Sequence, residues 1–156
     1  MNIDQKSLVF TTDLQQSSKI AAKLAGLIKP PQLIELVGDL GGGKTAFVKA
    51  LGIALGIEKT ITSPTFNIHR GYEFAGGRLE HFDLYRLKDD EIVQNELRDC
   101  LNDPHSIVVV EWAEHFRNVL SFDRLVIKFN YINEDTRKLT ISANGPKSEK
   151  LLEGIQ

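Results

Sequence analysis

Residues Gly38 to Thr45 read GDLGGGKT and match the spacing GxxxxGK[ST]. In that pattern the backbone N–H groups of a glycine-rich loop surround phosphate oxygens, a lysine reaches the terminal phosphates, and a hydroxyl ligates magnesium. Lys44 and Thr45 are the lysine and the hydroxyl here, and the backbone of Asp39, Leu40, Gly41, Gly42, Gly43 and Ala46 completes the candidate cradle. Three glycines in a row at the head of a helix cost stability unless the backbone has to approach something closely. Neither the guanine-reading pattern [NT]KxD nor the LSGGQ signature occurs downstream, which leaves ATP as the expected nucleotide by elimination.

A phosphate loop needs an acid at the end of a neighbouring strand to hold Mg2+ and orient a water. Two positions qualify. Glu111 ends the apolar run Ile107 to Val110, and Asp83 sits in EHFDLYR between Phe82 and Leu84. The residue types do not choose between them. Thr60 to Thr65 (TITSPT) follows the loop's helix, where hydroxyls could meet a terminal phosphate or its attacking water, although Ser-Pro-Thr is also an ordinary turn. His81 could be a base or an RNA contact, but a lone strand histidine is more often structural. His69, His105 and His115 have no ligand-like spacing with one another. Trp112 reads as core or as an exposed anchor for a partner. Glu114 and Asp123 read as solvated surface.

The elements that must carry these residues alternate. Residues 7–11 suit a strand, Thr12 and Gln15 resemble a capping box opening a helix toward Ile28, and Pro30 and Pro31 stop that helix. Residues 33–38 read as a buried strand and Lys44 to Leu55 as a helix capped by Gly56, which gives strand, glycine loop, helix. Residues 65–74 and 78–85 form a hairpin through Ala75-Gly76-Gly77, and Asp89 to Leu101 is a helix with Ile92, Val93, Leu97, Cys100 and Leu101 inward. SIVVVEW (106–112) is the best central strand. RLVIKFNYI (124–132) and KLTISA (138–143) alternate as half-buried strands and are expected to pair antiparallel at a sheet edge. The tail after Pro146 reads as loose. The class is α/β, with a mixed, mostly parallel central sheet, flanking helices and antiparallel late strands.

Composition narrows the function by exclusion. With 156 residues, 42% apolar and 26% charged, the chain reads as one domain able to bury a core without disulfides or a structural metal. The lone Cys100 favours a reducing, cytoplasmic setting. A net charge of −2, from 19 basic and 21 acidic residues, argues against nucleic-acid binding across a whole face. No apolar run reaches the roughly 18 residues of a membrane span, and the first ten residues lack a signal-peptide layout.

In order, GDLGGGKT, SPTF (63–66), HFDLYRL (81–87) and VVVEW (108–112) resemble the four diagnostic blocks of the bacterial TsaE family, formerly YjeE. The resemblance covers essentially the whole chain. It implies a P-loop NTPase fold and an Mg-dependent ATPase that supports threonylcarbamoyl modification of adenosine 37 in tRNA. The family's ATPase does not itself transfer the group. It acts with TsaB and TsaD, resets their complex by hydrolysis, is slow alone, and meets tRNA only through that complex. Carried over by position, Lys44, Asp83, Glu111 and Thr65 would be catalytic, and Thr45, Asp83 and Glu111 would hold Mg2+. Ser63 joins Thr65 in the switch-like SPT, Thr11 aligns with a residue near the nucleotide base, and Arg137 aligns with an arginine before the last strand. This chain has GGGKTA where the family usually has GAGKTT. Ala46 therefore lacks a hydroxyl whose single bond is worth about 1 kcal/mol. A small-molecule kinase and a non-hydrolysing nucleotide-dependent binding module are the alternatives. A kinase usually needs an arginine-bearing lid, and the seven arginines here form no such cluster.

Overall fold

The structure, a computed structural model, describes residues 6–39, 41, 43–64 and 67–156. In chain order the elements are β1 (Ser7–Thr12), α1 (Leu14–Leu27), β2 (Gln32–Gly38), α2 (Lys44–Leu55), β3 (His69–Phe74), β4 (Gly77–Asp83), α3 (Glu91–Asn102), β5 (Ser106–Glu111), β6 (Arg124–Tyr131), β7 (Arg137–Asn144) and α4 (Pro146–Ile155). The strands make one sheet in the order β1-β7-β6-β2-β5-β4-β3. β6, β2, β5 and β4 are mutually parallel, while β3 on one side and β7 and β1 on the other run antiparallel to their neighbours. This is the α/β class expected, with β2 and β5 buried at the centre because both their faces are apolar. No helix among the described residues is long and apolar enough to cross a membrane.

Alternation along each strand divides the core into two layers. Ile34, Leu36, Ile107, Val109 and Ile127 face α1 and α2, where Leu24, Phe47, Val48 and Leu51 meet them. Leu33, Phe82, Val108 and Val110 face the other way, onto Val93 and Leu97 of α3 and onto Phe116. The helices therefore cover both faces, and the carboxyl ends of β2, β4 and β5 open on one edge. In open α/β sheets that edge is where ligands bind.

Five expectations need correction. The α1 cap is Asp13, not Thr12: its carboxylate accepts from Gln16 N–H, and the Gln16 side chain accepts from Asp13 N–H. Thr12 is the last residue of β1, and its hydroxyl pairs with Ser17 instead. Ile92 is 79% exposed, because Asp90 caps α3 and the inward stripe is Val93, Leu97, Cys100 and Leu101. β6 and β7 pair antiparallel as expected, but β1 adds outside β7 and is the edge. The segment after Gly145 is helix α4, not a loose tail. Leu151, Leu152 and Ile155 are buried against α1, β6 and β7, each worth about 1.5–3 kcal/mol of transfer free energy. Asp123 anchors that helix by accepting from Lys147 N–H and Ser148 N–H, so it is a cap rather than solvated surface.

Candidate functional site

β2 delivers the glycine loop and α2 receives it. Gly38 has φ +148°, and a Cβ there would stand 2.5 Å from the Phe129 carbonyl oxygen on the neighbouring strand. Gly41 and Gly43 also have positive φ, at 75° and 99°, which favours glycine over any other residue. Gly43 caps α2 without a side chain, and the first turn of α2 carries no acid. Its free N–H groups and the positive end of the helix dipole are left for an outside anion.

Lys44 is 6% exposed, and its ammonium folds back over the loop. Nζ donates to Gly38 O at 2.5 Å and Asp39 O at 3.2 Å, and lies 4.0 Å from the Trp112 ring centroid. Burial pushes this lysine below its ordinary pKa, and Glu111, Asp83, Asp39 and Glu114, in that order, pull it back up. Thr45 is half-buried in the first turn of α2 and Ala46 is exposed. Trp112 is neither core nor a free anchor. It is half-buried, touches Tyr85 at 5.0 Å and roofs Lys44.

The acids arrive from the adjoining strands. Asp83 ends β4, Glu111 ends β5, and the two are register partners. Glu111 is 2% exposed, and its Oε2 lies 2.6 Å from Nε2 of His81, which is fully buried. Since a carboxylate only accepts, the ring donates from Nε2. Nδ1 has no partner. Sequence reasoning left His81 undecided, yet one signal was present: strand alternation puts His81 and Asp83 on one face, as it does Val109 and Glu111.

Asp83 accepts from Tyr85 N–H at 3.1 Å, and its own N–H donates to Ile68 O at 2.8 Å. Ser63 Oγ lies 3.5 Å from Asp83 Oδ2, at the long limit of a hydrogen bond. The segment after α2 thus ends against this acid. Ile68, Arg86, Asp89 and Trp112 have positive φ without being glycine; of these, Ile68 accepts the Asp83 N–H and Trp112 directly follows Glu111. Such strain persists only where surrounding structure enforces it.

Arg137 reaches the loop from the start of β7. Its Nη2 donates to Gly41 O at 3.4 Å, its Nη1 to Thr136 O at 3.1 Å, and its guanidinium lies 4.8 Å from the Tyr131 ring. Nε is buried without a partner among the described residues. Thr11 is exposed on β1, beside Lys138 in register, and is not brought to the loop by any described contact. A small cavity between Leu14, Ser18, Gly43, Ala46 and Arg137 adjoins the cradle. Larger hollows, one of about 830 Å³ beside Gly56 and Tyr72, contain none of the expected site residues. Leu40, Gly42 and Thr65 lie outside the described residues.

The donor set suits Mg2+, a hard cation that prefers oxygen: a hydroxyl and two carboxylates, with Lys44 set against both acids. At Gly38 the missing side chain makes room for the Phe129 carbonyl of β6.

The family model described as threonylcarbamoyl adenosine biosynthesis protein TsaE matches residues 11–139. A Bacillus subtilis protein named tRNA threonylcarbamoyladenosine biosynthesis protein TsaE is 35% identical over 151 residues, 96% of this chain and 94% of the relative. A Streptomyces coelicolor protein of the same name is 36% identical over 137 residues, covering 83% and 91%. The crystal structure of Bacillus subtilis YdiB superposes with a TM-score of 0.81 at 30% identity, covering 97% of this chain and 95% of that one. With fold, motif order and relatives in agreement, the chain belongs to the TsaE family.

Proposed function

We propose that this chain is the ATP-binding and hydrolysing component of threonylcarbamoyladenosine biosynthesis on tRNA, a cytoplasmic protein acting with TsaB and TsaD. One observation carries the hydrolytic reading. The acids that act most strongly on the loop lysine are Glu111 and Asp83, which stand opposite each other at the ends of adjacent parallel strands.

Each residue then has a task. The N–H groups of the loop and of the head of α2 bind phosphate oxygens. Lys44 exchanges the carbonyls of Gly38 and Asp39 for phosphate oxygens, trading neutral acceptors for charged ones. Thr45, Asp83 and Glu111 would hold Mg2+, which supplies neutralisation of phosphate charge when bound. His81 keeps Glu111 in place from behind. Ser63 and Thr65 belong to the segment that would respond to the terminal phosphate, Arg137 would meet the nucleotide beside Gly41, and Thr11 would stand near its base. The sheet and its helices take up nearly all the described residues, leaving the second substrate to come from partner proteins.

The test is a pull-down from the native host with the wild-type chain and Lys44→Ala, with bound proteins identified and tRNA modification assayed. Recovery of TsaB and TsaD, with modification lost in Lys44→Ala, supports the reading. Recovery of no tRNA-modification protein contradicts it.

A further inference from the structure

On the α3 side of the sheet, away from the cradle, stands a second cluster. Among the described residues, His69, Glu80 and Cys100 bring ligand atoms within 4.8 Å of one another. They come from β3, β4 and α3 respectively. His69 Nε2 is 2.5 Å from Glu80 Oε2 and 4.0 Å from Cys100 Sγ. We propose that these three side chains form a binding site for a borderline-soft divalent cation of the zinc class, separate from the Mg2+ site at Thr45, Asp83 and Glu111.

The donor types select the ion. Thiolate and imidazole suit zinc, whereas magnesium takes oxygen ligands and retains its waters. Each outer partner also orients its ligand as a metal site requires. Glu96 Oε1 lies 2.6 Å from His69 Nδ1, the far nitrogen of the ring, and this carboxylate contact aims Nε2 toward Glu80 and Cys100, where it donates to Glu80 Oε2 until a cation takes the place of its proton. Arg78 Nε donates to Glu80 Oε1 at 2.8 Å and leaves Oε2 facing the histidine. The His69 ring is stacked on Phe82 with centroids 4.1 Å apart and planes 4° from parallel, so it has little freedom to turn away.

Size is compatible. Zinc bonds of about 2.0–2.3 Å in a tetrahedral site separate ligand atoms by roughly 3.2–3.8 Å. The contact at 2.5 Å would open by about 0.7–1.3 Å and the one at 4.0 Å would close by about 0.2–0.8 Å. Glu80 is 6% exposed and His69 18% exposed by side chain, and Cys100 is half-buried. The three protein ligands are thus sheltered, and water would fill the fourth position of a tetrahedral ion.

The bound ion would tie β3, β4 and α3 together directly behind Asp83. Phe82, which supports the histidine, precedes that acid, and Ile68, which precedes the histidine, accepts the Asp83 N–H.

The experiment titrates the full chain with Co2+ in excess Mg2+ and follows the absorption spectrum, then displaces Co2+ with Zn2+. The expected result is a thiolate-to-cobalt charge-transfer band with intense visible bands of four-coordinate cobalt, bleached by Zn2+. Cys100→Ser should abolish the charge-transfer band, and Glu96→Gln should weaken Zn2+ binding about 10–100-fold while the band survives. Lys44→Ala should leave the spectrum unchanged. Absence of a thiolate band, or a band that persists in Cys100→Ser, would overturn the proposal and leave the cluster a plain histidine–carboxylate network.

Discussion

His81 and Glu111 lie 2.6 Å apart, Nε2 to Oε2, with both side chains closed off from solvent. The histidine comes from the middle of β4 and the acid from the end of β5, so the contact fixes a carboxylate that the strand backbone alone would leave free to change rotamer. His81→Phe keeps a ring of similar shape but removes the donor. It should cost about 1–3 kcal/mol of stability through the unpaired buried carboxylate, and should lower turnover more than nucleotide affinity. Denaturant unfolding and an ATPase assay on the same preparation measure both effects. Unchanged stability and turnover would show that the contact does not hold Glu111.

Trp112 is the chain's one tryptophan, and its ring lies 4.0 Å from the Lys44 ammonium. When Lys44 turns to phosphate, that contact breaks or reorients. Emission should therefore change on adding Mg-ATP, and Lys44→Ala should alter the starting spectrum and remove the response. A wild-type spectrum unmoved at saturating nucleotide would contradict this placement.

Gly38 and Gly26 make a matched pair. At Gly38 a Cβ meets the Phe129 carbonyl, which is backbone and cannot step aside, and φ is +148°. Gly38→Ala should cost roughly 1–3 kcal/mol or more, from crowding and strain together. Gly26 lies in α1 with nothing within 4 Å of an added Cβ. Gly26→Ala should stabilise by about 0.4–1 kcal/mol. Thermal melts of the two variants should move in opposite directions.

Helix α4 holds its place through Leu151, Leu152 and Ile155. Leu152→Ala should destabilise by about 2–5 kcal/mol, as large-to-small changes in a core do. A shift under about 0.5 kcal/mol, the usual size of a surface substitution, would mean that the helix does not contribute to the core.

What the sequence made legible was local. GDLGGGKT needs only neighbouring residues to be recognised, and both Lys44–Leu55 and its Gly56 cap were readable from spacing alone. Asp83 and Glu111 could be nominated from their strand ends, but their opposition is a register between distant strands. His81 could not be distinguished from an ordinary strand histidine until Glu111, thirty residues away in sequence, was set beside it. The α4 segment misled for the opposite reason. PKSEKLLEGI is mostly polar, and its helix depends on a cap from Asp123 and on a groove made by α1 and β7. Pro146 at the first helical turn was the local hint. Ile92 reads as core by hydrophobicity, yet the Asp90 cap sets the helix phase that leaves it outside.

The proposed hydrolytic site of Lys44, Asp83 and Glu111 would work within a partner complex. Phosphate release from Mg-ATP, measured for the wild-type chain and Glu111→Gln with and without TsaB and TsaD, tests it most directly. Release should be slow for the wild type alone, rise with the partners, and fall about 100-fold or more in Glu111→Gln with ATP still bound. Equal turnover with and without partners, or a Glu111→Gln chain as active as wild type, would contradict it.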